Sequence, residues 1–79
     1  MGKPLDEFIE DLDFITARIE ERTGARCVYT YEPIRDEILI TIGAHCWQSF
    51  GVRKKAEFVQ SYIDHWCELY ETAVNLCGY

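Results

Sequence analysis

The sequence predicts a single small α+β domain spanning residues 1–79, of order α-β-β-α, in which an antiparallel hairpin packs against two helices and the C-terminal helix is long. Three observations predict it. Apolar residues recur at steps of three and four near each end of the chain, the middle alternates apolar and polar residues in two short runs, and 79 residues leave room for one core only.

The first helix is predicted over roughly residues 4–23. Pro4 suits a first helical position, Leu5, Phe8, Leu12, Ile15 and Ile19 form the inner stripe, and Gly24 offers a left-handed stop. The outer side carries Asp6, Glu7, Glu10, Asp11, Asp13, Glu20 and Glu21. The first five lie toward the helix N-terminus, where negative charge complements the dipole. Phe14 falls nearly opposite the apolar stripe.

From Arg26 to Glu32 the chain places Cys27, Tyr29 and Tyr31 on one face of a strand and Val28 and Thr30 on the other. Pro33 to Asp36 make a turn. The return strand, Glu37 to Ala44, sets Ile38, Ile40 and Ile42 against Leu39, Thr41 and Gly43. An isolated hairpin is marginal in water, so the isoleucine face must pack on the helices. Residues 45–51 read as a link, into which the return strand can run, with Ser49 or Gly51 as N-cap of the last helix.

The last helix is predicted from Val52 to Cys77. Val52, Ala56, Val59, Ile63, Trp66, Tyr70, Ala73 and Cys77 form a heptad seam, and Phe58, Tyr62, Leu69 and Leu76 form a second row beside it. Together they cover about half the helix circumference, wider than the usual stripe of about 100°. A helix of that span reaches about 40 Å, whereas an eight-residue strand reaches about 27 Å. The overhang needs apolar cover, for which the turns with Tyr70, Ala73, Val74, Leu76 and Cys77 are the candidates. A homodimer follows as an expectation, with an interface drawn from Trp66, Tyr70, Ala73, Val74 and Cys77.

The composition narrows the function classes. With 48% hydrophobic and 14% aromatic residues, the chain is not of disordered type. A net charge of -6 and a pI near 4.7 argue against a general nucleic-acid binder. The N-terminal residues lack an apolar signal core, and no stretch approaches the roughly 18 apolar residues of a membrane span. The expected location is the cytoplasm, with Cys27, Cys46, Cys67 and Cys77 as reduced thiols.

Arg53, Lys54 and Lys55 fall in the predicted first turn of the last helix, where exposed amide N–H groups attract anions. They offer an anion or nucleic-acid site as an alternative to a solvated face. With Ala56 they match the basic start of the last helix in double-stranded RNA-binding domains, which the element order also resembles. The third strand of those domains is not predicted, the net charge is of the opposite sign, and no RNA-contacting residue is carried over. The pairs His45 with Cys46 and His65 with Cys67 lack metal-chelate spacing, so no metal and no cofactor is expected. If the long helices pair about a two-fold axis, Cys67 or Cys77 can meet its mate. There is no nucleophile and base motif, no phosphate loop and little volume for a preorganised pocket, so no catalytic residue is assigned.

The remaining expectation is a binding surface. Glu7, Glu10, Asp11, Asp13 and Glu20 on the first helix imitate a row of phosphates and, with the aromatic Phe14 among them, suit a basic surface on another protein. Short, acidic, motif-free chains of this type resemble proteins that phages encode against host defence, including anti-CRISPR proteins. The resemblance implies an inhibitor or adaptor acting in the host cell cytoplasm.

Overall fold

A computed structural model describes residues 4–55 and 59–78. Its order is α-β-β-β-α: α1 (Leu5–Thr23), β1 (Cys27–Glu32), β2 (Glu37–Ile42), β3 (His45–Phe50), a single 3-10 turn at Arg53–Lys55, and α2 (Val59–Cys77).

The first helix keeps its sequence bounds to within a residue. Phe8, Leu12, Ile15 and Ile19 are buried, and Thr16 is tolerated beside them because its hydroxyl bonds back to the Leu12 carbonyl at 3.0 Å. Gly24 ends the helix at φ 72°, a conformation that costs glycine nothing, and its N–H reaches Glu20 O at 2.9 Å.

The sheet is antiparallel in the order β1-β2-β3. Its pairing is continuous, with Tyr29 opposite Ile40 and Ile40 opposite Trp47. The inner face joins Cys27, Ile38, Ile40 and Ile42 to the α1 stripe and to Ile63, Trp66 and Cys67 of α2 in one core. Both helices therefore cover the same face. The outer face is uncovered and leaves Val28, Leu39 and Phe50 exposed.

Two expectations change. The segment expected as a link forms strand β3 over His45–Phe50, which places Ser49 inside the strand and adds a third strand to the predicted hairpin. The last helix begins at Val59, not at Val52. Gly51 turns the chain at φ 68°, and Val52 enters the core from this turn rather than from a helix. Ala56 and Phe58 of the two predicted rows lie outside the described residues.

The heptad seam serves the chain's own core. Ile63 and Trp66 are buried, and Val59 and Tyr70 pack partly buried against them. Trp66, 1% exposed and stacked on Tyr62 with ring centroids 5.4 Å apart, is thereby removed from any dimer contact. Tyr70 closes on the β2–β3 turn, where a Cβ on Gly43 would sit 3.4 Å from its ring. Among the described residues no helix is long and apolar enough to cross a membrane.

Candidate functional site

The acidic face of α1 is anchored to the sheet at two points. Asp13 accepts the Tyr29 hydroxyl at 2.8 Å, and Glu20 accepts the Cys27 backbone N–H at 2.9 Å. Both carboxylates dock the helix onto β1. Burial, and then the bond to Asp13, pushes the Tyr29 hydroxyl up to about 12, so it stays a donor across the physiological range. Glu7 and Glu10 are exposed, Asp11 is half-buried, and Phe14 is 55% exposed with the Arg18 guanidinium carbon 5.9 Å from its ring centre. Glu7, Glu10 and Phe14 lie three and four residues apart, so they share one side of the helix.

On the other flank, Arg22 joins α1 to α2 through Asp64 at 2.8 Å. The Arg22 bond, and then one from Gln60, holds the Asp64 carboxyl below its usual range.

The basic segment has a different construction from the expected helix N-terminus. Arg53 and Lys54 donate their backbone N–H groups to the Asp36 carboxylate at 2.6 and 3.0 Å, and Tyr31 donates its hydroxyl to the same group at 2.6 Å. The amides expected to attract an external anion are thus held by an internal one. Asp36 is 3% exposed, and it sits at φ 50°, the left-handed region in which aspartate is among the better tolerated residues. Burial pushes its carboxyl up. The Tyr31 hydroxyl, the two N–H groups and the Arg53 charge outweigh that and hold it below the ordinary carboxylate range. Lys54 and Lys55 keep their side chains exposed, while Arg53 is half-buried.

Of the residues expected at a dimer surface, Ala73 and Val74 are half-buried and Cys77 is exposed; next to them Leu76 is 82% exposed. Cys67 is fully buried and cannot meet a symmetry mate. Cys46 and Cys77 are exposed free thiols. Among the described residues no three His, Cys, Asp or Glu side chains gather as a metal site.

No family model matches the chain, and comparisons with curated proteins and with solved structures find no significant match.

Sequence reasoning missed Asp36 because a turn aspartate after proline is ordinary turn chemistry. Its role depends on a contact with a segment 17 residues away, which no local pattern encodes.

Proposed function

We propose that the chain is a non-catalytic protein-binding module, an inhibitor or adaptor that applies the outer side of α1 to a basic surface on another protein and acts as a homodimer in the cytoplasm. The carrying observation is the division of labour among the helix carboxylates. Asp13 and Glu20 fix α1 on β1, while Glu7 and Glu10 project into solvent with no hydrogen bond or ion pair among the described residues. Carboxylates held on a fixed helix can accept charge-assisted hydrogen bonds from arginine without reordering, and the net charge of -6 favours encounter with a cationic groove. A groove that normally holds nucleic acid is the natural target, as in the phage anti-defence proteins, anti-CRISPR proteins among them, that this chain resembles in type.

The test is direct. A partner captured on the immobilised chain is titrated against wild type and against Glu7→Gln/Glu10→Gln. A loss of about tenfold or more in affinity, about 1.4 kcal/mol, supports the reading. Unchanged affinity sinks it.

One observation favours a second reading. β3 completes the α-β-β-β-α order of double-stranded RNA-binding domains, and Lys54 and Lys55 are exposed just after it. An anion or nucleic-acid module working through Arg53, Lys54 and Lys55 predicts duplex binding that falls steeply with salt and is abolished by Lys54→Glu/Lys55→Glu. Absence of such binding at low salt ends this alternative.

A further inference from the structure

β3 is an open edge of the sheet. Gly51 N–H bonds Asp36 O at 2.7 Å, and the pairs in step with it are Ile38 with Ser49, Ile40 with Trp47 and Ile42 with His45. In an antiparallel ladder the alternate residues Cys46, Gln48 and Phe50 then direct their main-chain N–H and C=O away from β2. This edge carries none of the usual guards against pairing: no proline, no lysine and no break in register. The opposite edge differs, because Glu20 occupies the Cys27 N–H.

Part of the apolar side of α2 overlooks the same edge. Leu69, Ala73 and Leu76 form a groove with Trp47 and His65. His65 also lines a neighbouring groove with Tyr62, Gln48, Phe50 and Lys55. Leu76, 82% exposed, and the half-buried Leu69 and Ala73 are therefore set beside main-chain groups that no strand pairs among the described residues.

We infer that a second copy of this chain pairs there, β3 antiparallel to β3 about a two-fold axis at Gln48, making a six-stranded sheet. The inference gives the geometry of the proposed homodimer and rests on that part of the functional reading alone. The register is self-complementary. Gln48 faces Gln48, Cys46 faces Phe50, and Trp47 lies opposite Ser49 of the second copy, closing up to about six main-chain hydrogen bonds. Charge agrees as well. Lys55 lies at the Phe50 end of the groove and Glu68 at the Trp47 end, so the two-fold axis brings each cation toward the other copy's anion. A strand edge about 20 Å long with one helix flank makes a contact at the small end of the interface range, so dimerisation depends on concentration.

The test places a cysteine at Gln48 in a Cys46→Ser/Cys77→Ser background, where the remaining thiols Cys27 and Cys67 are buried. Light scattering over a concentration series accompanies mild oxidation or a short bismaleimide. The expected result is a mass that doubles with concentration and a crosslinked dimer through position 48, which a Thr30→Cys control on β1 does not form. Gln48→Pro, whose lost N–H faces the open edge, is expected to remain folded by circular dichroism and to stay monomeric. A dimer that does not crosslink through position 48 overturns the edge pairing and leaves the homodimer standing. A monomer at every concentration overturns both, and a monomer that takes up an extended peptide unless Gln48 is proline assigns the edge to another occupant.

Discussion

Asp36 accepts the backbone N–H of Arg53 at 2.6 Å, so the turn between β1 and β2 fixes the start of the basic segment 17 residues later. The same carboxylate takes Lys54 N–H and the Tyr31 hydroxyl, and its own carbonyl takes Gly51 N–H. Asp36→Ala strands two backbone donors and a phenol and puts a Cβ-bearing residue without a polar side chain at positive φ; the expected loss is roughly 2–3 kcal/mol. Asp36→Gly relieves the backbone and loses the same bonds, while Asp36→Asn keeps an acceptor and tolerates the φ, at about 1 kcal/mol. Urea denaturation of the three variants should rank alanine worst and asparagine best.

The same residue sets an acid limb of stability. Because the folded carboxyl is held below its usual range, the unfolded chain takes up the proton first as pH falls past about 3.9. The contribution is therefore complete above that value and is lost as pH drops through the folded pKa. Melting temperature is expected to fall as pH drops below about 3.9, more steeply in wild type than in Asp36→Asn. At the alkaline end Tyr31, pushed up to about 12 by burial and by the bond to Asp36, contributes stability below about pH 10 that is lost as pH rises toward its folded value. Tyr31→Phe should flatten that limb.

Trp66 tests whether the heptad seam is core or interface. Its ring is buried among Tyr62 and the core, and its indole N–H is buried with no hydrogen-bond partner among the described residues. Trp66→Ala is expected to cost about 3–5 kcal/mol, enough to unfold a chain of this size at room temperature. Trp66→Phe keeps most of the packing and removes the stranded donor, so it should stay folded with a smaller loss. Equal mass and stability in wild type and Trp66→Ala would place the ring at a surface instead.

The outcome at particular elements shows what the sequence carried. The α1 stripe, its glycine stop and the β1–β2 hairpin were legible because each follows from local period and turn chemistry. β3 was not. Its burial alternates between half-buried and exposed, but His-Cys-Trp-Gln-Ser-Phe does not alternate apolar with polar residues as β2 does, so the sequence pattern hid a strand that pairing with β2 makes. The start of α2 was misplaced because Val52 fits the seam at helical spacing while reaching the core from a turn. At the candidate surfaces, the exposure of Glu7, Glu10 and Phe14 was readable on a helical wheel. The anchoring of Asp13 and Glu20 to β1, and the internal anion beneath Arg53 and Lys54, depend on distant contacts and were not.

The four thiols divide by place in the fold, and their reactivity should follow. Cys27 and Cys67 are buried, and burial pushes the Cys27 thiol up to about 12, with the nearby Glu20 adding to the shift, so neither reacts as thiolate at neutral pH. Cys46 projects from the uncovered sheet face, and Cys77 ends α2 in solvent. Maleimide labelling of the native chain at pH 7, read by mass spectrometry, is expected to add two labels quickly at Cys46 and Cys77, and two more only after denaturation. Any interchain disulfide formed without reductant should disappear with Cys77→Ser, Cys46→Ser or both, and should be untouched by Cys67→Ser. Fast labelling of Cys67 in the native state would mean that α2 separates from α1 in solution, and it would return that residue to the candidates for an interchain bond.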